Sequence, residues 1–456
     1  MAGRGEIPLT PPISANRDVT PAVEDRSYLW FIAAALVSAL GGGFLLAILL
    51  PLAATGLVPG EERVPWLIQA HGWIQVQGWA GLFVAGMAVR LIPRFAGRPP
   101  VRSPVTLPLL ALLAIPVALR ITLQPWATGD LARVSAIAVA ILSAAGAASL
   151  AGILALTLAR GRKPPEPWRY FAWAGTAWWL VFAFLLAWWG RRAAGSAGLV
   201  SPAWDDAVSW VVLLGPIGNF IWSVQGRSVP IFFGRKTPTW RQAIIPGAAY
   251  NGGAALMAAA LAAQGEQSAR LSGAGLFAAG IGMAWLAVIA GSVWGRPTRL
   301  RPRAKFAARF VLAANLSAVA AGVLLAWAGL ETLAEGHYAA FPARDAARHI
   351  IGIGLVTMLI MGMARLVAPV FALERTESGV PRLYERAPFL LLLAALLLRA
   401  GAGLLGEHIS YDARMHAAAA AGTLAWLAIV VFAISVARAV RAEPATRRAL
   451  DALVRR

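Results

Sequence analysis

The 456-residue sequence has no cysteine. That excludes disulfides, thiolate-ligated haem, cysteine-held iron–sulfur clusters and haem attached through a CxxCH motif. Acidic residues are scarce, 21 against 41 Lys and Arg, so the formal net charge is +20. Histidine is scarcer still, with His71, His337, His349, His408 and His416 the only five. Long polar stretches are also few. Hydrophobic residues make up 59% of the chain and the mean hydropathy is +0.66, a composition with which a soluble chain of this length would aggregate. Mostly apolar segments of about 18 residues or more recur throughout and predict a polytopic all-α integral membrane protein in a lipid bilayer. The basic excess sits mainly in short loops, not in a folded soluble region, so no nucleic-acid partner is expected.

One short motif returns. Arg90-Leu91-Ile92-Pro93-Arg94-Phe95 recurs as Arg227-Ser228-Val229-Pro230-Ile231-Phe232, and more loosely as Arg365-Leu366-Val367-Ala368-Pro369-Val370-Phe371, at intervals of 137 and 138 residues. Each copy closes a long apolar segment. The period predicts about four transmembrane helices per unit, copied three times. Twelve helices are expected near 28–57, 66–93, 106–126, 131–159, 170–190, 204–233, 242–263, 268–295, 306–333, 345–372, 386–404 and 412–439. They form one transmembrane domain, 28–440, between a flexible tail, 1–27, and a basic tail, 441–456. Residues 1–27 carry no basic stretch leading into a cleavable signal.

Loop charges set the expected direction. Basic residues follow the second, fourth, sixth and eighth helices, for example Arg94 and Arg98, Arg160 and Lys163, Arg235 and Lys236, and Arg299 and Arg301. By the positive-inside rule both termini are cytoplasmic. The motif arginines then lie at the inner face. There they either snorkel to headgroups or serve a function.

In that topology all five histidines fall near the outer face. His71 precedes Arg90 by 19 residues and His349 precedes Arg365 by 16, which places the imidazoles roughly 28 and 24 Å from the inner arginines at about 1.5 Å per residue. Two helices related by the repeat thus carry one imidazole each at a similar depth. The three-residue difference requires a shift or kink for both to face one point. Each histidine either hydrogen-bonds a neighbouring helix or is one of two axial ligands of a b-type haem. The matching segment around Trp204, Asp205 and Asp206 has no histidine, so a three-histidine copper centre on the sixth and seventh helices is excluded.

Arg120 and Arg399 lie late in the third and eleventh helices, at about the depth of the two histidines. A guanidinium in hydrocarbon is costly unless paired. The only carboxylates noted near that level are Asp205, Asp206 and Glu331, at helix ends. Haem propionates are therefore one candidate anion, and snorkelling to the interface is the other reading. Arg344, Arg348 and Arg414 lie near enough to substitute. His408 and His416, with Asp412 and Met415 between them, are a candidate exposed copper site or are simply solvated. Gln75 and Gln77 either bond within the core or shape the surroundings of His71. Trp178, Trp179, Trp188 and Trp189 read as packing or interface residues, and the Gly- and Ala-rich seventh and eighth helices as close-packed.

Several of these segments together resemble a known family. His71-Gly72-Trp73 through Phe83-Val84-Ala85-Gly86-Met87 to Arg90-Leu91-Ile92-Pro93 is similar to the first signature helix of the NnrS family. Arg348-His349-Ile350-Ile351-Gly352 through Met361-Gly362-Met363-Ala364-Arg365 is similar to its later signature, and Leu398-Arg399 and Ala425-Trp426-Leu427-Ala428 also fit. The resemblance implies a haem- and copper-containing protein of the bacterial inner membrane linked to nitric oxide metabolism. It also implies an architecture similar to the catalytic subunit of haem–copper oxidases, where histidines of the second and tenth helices hold a low-spin haem and arginines of the eleventh bind its propionates. His71, His349 and Arg399 occupy those positions. The single histidine on the tenth helix and the absent copper ligands depart from the oxidase pattern. The resulting expectation is one bis-histidine haem b, with Arg399 and Arg120 on its propionates, acting in electron transfer or nitric oxide handling with an electron-donor protein. A cofactor-free secondary transporter or assembly partner, and a reductase with a five-coordinate haem, are the alternatives.

Overall fold

A computed structural model describes residues 25–196, 198–290, 306–338, 341–367 and 382–454. Twelve long helices account for nearly all of it: α1 (Tyr28–Ala54), α2 (Glu61–Phe95), α3 (Ser103–Thr122), α4 (Gly129–Ala159), α5 (Trp168–Gly195), α6 (Pro202–Ile231), α7 (Trp240–Ala260), α8 (Gly265–Ile289), α9 (Ala307–Glu335), α10 (Phe341–Arg365), α11 (Arg382–Leu405) and α12 (Tyr411–Val454). No strand occurs among the described residues. Eleven of the helices are long and apolar enough to cross a membrane, so this is an all-α integral membrane protein. The exception is α7, which carries Gln242, Tyr250 and Asn251. Where the residues are described the expected boundaries agree to within a few residues, apart from α12; the expected ends at 295 and 372 lie outside the described residues. Helix α12 runs without a break to Val454, through the segment expected as a separate tail.

Three helices form the centre. Between 78 and 83% of the apolar stretch is buried in α2, α6 and α10, against 28–56% in the other eight spans. These are the helices that carry the arginine–proline motif. Each is also interrupted by π-helical turns, at Ile74–Gly81, Leu213–Gly218 and Ile350–Thr357. The interruptions end nine, nine and eight residues before Arg90, Arg227 and Arg365. A π turn accommodates one extra residue and rotates the next stretch of helix about its axis, and such turns concentrate where side chains must be re-aimed. Here Trp79, inside the π segment of α2, donates its indole N–H to Thr357 Oγ1, inside that of α10, at 3.0 Å.

The motif arginines are held by the protein. Arg90 is buried, with its guanidinium 4.4 Å from the Tyr28 ring centre. Arg227 lies over Phe95 and pairs with Glu166, and Arg365 donates to the Tyr384 carbonyl. Each central helix is thereby tied to a neighbouring element at this end of the bundle. The last copy's Ala368-Pro369-Val370-Phe371 and the basic residues Arg299 and Arg301 lie outside the described residues.

The periphery associates in two ways. The polar face of α7 docks through paired amides: Asn219 Nδ2 donates to Asn251 Oδ1 at 2.8 Å, Asn251 Nδ2 returns a bond to Asn219 Oδ1 at 3.0 Å, and Trp178 Nε1 also donates to Asn251. Satisfying these groups internally explains how a helix too polar for the apolar criterion sits within the bundle. Helices α8 and α9 instead touch backbone to backbone. A Cβ on Gly280 would lie 2.4 Å from the Gly322 carbonyl oxygen. Gly280→Ala is expected to lower stability by about 1–3 kcal/mol through overpacking, measured by thermal unfolding in detergent. Gly252→Ala, where nothing lies within 4 Å, should be neutral or slightly stabilising, because alanine favours helix.

Candidate functional site

His71 and His349 converge at one end of the bundle, between α2 and α10. The Trp79–Thr357 hydrogen bond fixes their register, since each histidine precedes its own member of that pair by eight residues. Both helices run in the same direction, so the imidazoles lie at one level about 12 Å along the helices from the bond. The mismatch of three residues, counted from the arginines, is taken up on the far side of the contact, as the sequence required of a shift or kink. His71 interacts electrostatically with His349, Arg399 and Asp345, which places these four side chains in one group.

Both rings are held in the same way. His71 Nδ1 lies 2.8 Å from the Gly43 carbonyl, and His349 Nδ1 lies 2.8 Å from the Asp345 carbonyl. A carbonyl only accepts, so each Nδ1 carries the proton and donates. No hydrogen bond from the described residues engages either Nε2. An imidazole whose Nδ1–H is fixed by a carbonyl is oriented to ligate through Nε2. Gly43 belongs to a π turn in α1, Ala39–Gly43. A Cβ there would lie 3.0 Å from the Gln75 amide carbon. The absence of a side chain lets α2 press Gln75 and His71 against α1. Gln75 thus belongs to the surroundings of His71, one of its two expected readings.

Arg399 does not lack an anion in the protein. Its Nη2 donates to Asp345 Oδ2 at 2.7 Å. The carboxylates expected at this depth do not include Asp345, the first residue of the expected tenth helix. The helix starts at Phe341 instead, which carries Asp345 one full turn inside. Arg344 and Arg348, on the same helix, both donate to Asp206 of α6, and Arg348 also lies over the Trp210 ring. The first turns of α6 and α10 are therefore joined by a shared carboxylate, and α11 joins them through Arg399.

Arg120 is not brought to the histidines, contrary to the expectation that it would share a ligand with Arg399. It is fully buried, on the other side of α2. Nε donates to Gln77 Oε1 at 2.9 Å and Nη1 to Gln124 Oε1 at 2.8 Å. The guanidinium lies between the Trp73 and Trp189 rings, 4.7 and 4.3 Å from their centres. Asp205 supplies the countercharge and accepts from Trp73 Nε1 at 2.7 Å. The reason is helical geometry: at about 100° per residue, Trp73 and Gln77 project away from His71. Trp178, Trp179 and Trp189 are buried core residues, not interface anchors.

The other histidines stand apart. His337 pairs with Glu335 at 3.4 Å, largely exposed. His408 and His416 are exposed at the α11–α12 turn. Among the described residues no group of three or more His, Asp or Glu side chains gathers as a metal site. Arg414 lies over Tyr411. The π turns and the role of Asp345 were missed by sequence reasoning. Asp345 had a signal, the Asp-x-x-x-His spacing of one helical turn. No family model matches this chain, and neither does any curated protein.

Proposed function

We propose that the protein is an NnrS-like b-haem protein of the bacterial inner membrane, with both termini cytoplasmic, that holds one haem between His71 and His349 and acts in electron transfer or nitric oxide handling. One observation carries this reading. Two imidazoles from parallel central helices sit at one level, each with Nδ1–H committed to a backbone carbonyl and Nε2 unengaged by the described residues. The donor set fits a haem iron, which takes neutral imidazole nitrogens. Arg399, Arg348 and Arg344 place cationic groups in the same region, each paired within the chain to Asp345 or Asp206. The three-unit repeat fits as well, since α2, α6 and α10 share their burial and their π turns.

The bound group would supply a one-electron couple. The chain's own part is to orient. Gly43 and Asp345 fix the ring tautomers, and Trp79–Thr357 fixes the helix register. His71 and His349 would be the residues that hold the group, and committing both imidazoles to it favours electron transfer over turnover.

Purified protein should be red and show sharp paired bands in the dithionite-reduced minus oxidised spectrum, about one haem per chain. His71→Ala should lose these bands. Unchanged bands in that variant would remove His71 as a ligand. Carbon monoxide binding to the reduced protein would favour the five-coordinate reductase. A colourless preparation, haem-free by pyridine haemochrome and copper-free by metal analysis, would favour the transporter or assembly partner.

A further inference from the structure

The two histidines are held alike at Nδ1 but differ in what lies behind that bond. The carbonyl facing His71 belongs to a glycine with no charge of its own. The carbonyl facing His349 belongs to Asp345, whose carboxylate oxygen Oδ1 also lies 3.4 Å from the same Nδ1. The other carboxylate oxygen accepts from Arg399 at 2.7 Å. Asp345 and Arg399 are each only 19% exposed at the side chain, so the pair acts through a medium that screens weakly. Within α10 the Asp345 carbonyl is also the natural acceptor for the backbone N–H one turn on. Alone, it is therefore a divided partner for the ring.

We propose that Asp345 is the positioning residue of this site. Its carboxylate bridges His349 to Arg399, and the two opposed charges hold the imidazole in one tautomer and set the electron affinity of what Nε2 ligates. This rests on the haem reading for its redox consequence, and on the geometry alone for the positioning. The carboxylate pushes electron density towards the ring and stabilises an oxidised, more positive centre. The guanidinium opposes it. Removing each should therefore act in opposite directions, whereas two merely structural residues would change potential in no ordered way.

The test is redox titration of the purified, haem-loaded full chain in three variants. Asp345→Asn should retain haem and raise the midpoint potential. Arg399→Leu should lower it. The double variant should lie closer to the wild type than either single one. An unchanged potential in Asp345→Asn, or singles that move in the same direction, would overturn the redox part. The positioning is read separately and without haem, by 15N spectra of histidine-labelled protein. His349 should give a single Nδ1-protonated form in the wild type and a mixture of tautomers in Asp345→Asn. The same single form in both would overturn it. A wild-type chain that carries no haem would instead defeat the haem reading, and the 15N result would still decide the role of Asp345.

Discussion

Arg120→Ala should destabilise the protein by about 3–5 kcal/mol, the range for breaking a buried charged network by removing one member. The guanidinium is fully buried. Its loss leaves the Gln77 and Gln124 side-chain oxygens without their donor, and each orphaned buried acceptor costs about 1–3 kcal/mol. It also empties the space between Trp73 and Trp189 and leaves Asp205 with one cation fewer. Arg120→Lys keeps the charge but not the planar fork that donates to two glutamines while stacking between two indoles, so it should recover less than half of the loss. Asp205→Asn, which keeps an acceptor for Trp73, should cost less than Arg120→Ala. Thermal and denaturant unfolding in a fixed detergent measures all three. A loss under about 0.5 kcal/mol for Arg120→Ala, the size of an ordinary surface change, would refute the network. The same series bears on function. Because Arg120 faces away from the histidines, folded Arg120→Lys protein should keep the wild-type visible spectrum, and an altered spectrum would return Arg120 to the site.

The contrast between Arg120 and Arg399 shows what the sequence made legible. Both were conspicuous as charges inside apolar helices, because the cost of a bare guanidinium in lipid is large and general. The identity of their partners was not, because it depends on which face of α2 each meets and on where α10 begins. Gln77, two residues from Gln75, turned to Arg120, while Gln75 turned to Gly43. A shift of a few residues at the start of α10 moves Asp345 from the end of the helix to one turn inside it, where it meets Arg399. The helices themselves were readable because apolar length acts locally. The π turns were not, because they are stabilised by tertiary contacts such as Trp79–Thr357, not by any local preference of Ile, Val and Gly for that geometry.

Asp206→Ala should be the second most damaging change, at about 2–4 kcal/mol. One carboxylate accepts from both Arg344 and Arg348, so its removal strands two guanidinium groups at once. They lie one turn apart on the same helix, where like charges repel. The figure sits at the lower edge of the buried-pair range because Arg348 keeps 33% of its side chain exposed, and water screens that part. Arg344→Ala alone should cost only about 1 kcal/mol, since Asp206 keeps Arg348 and one repulsion is relieved. The Asp206→Ala/Arg344→Ala double variant should then be less unstable than the sum of the singles, with a coupling within the roughly 0.5–3 kcal/mol seen for residues of one network. Strict additivity would mean that the shared carboxylate does not join α6 to α10. The bridge matters beyond stability, because Arg348 immediately precedes His349. A tether that sets the first turns of α10 also sets the direction of its imidazole. Asp206→Ala protein that still folds should accordingly bind haem more weakly than the wild type, whereas Gly280→Ala, which perturbs α8 and α9 far from that turn, should bind it as the wild type does.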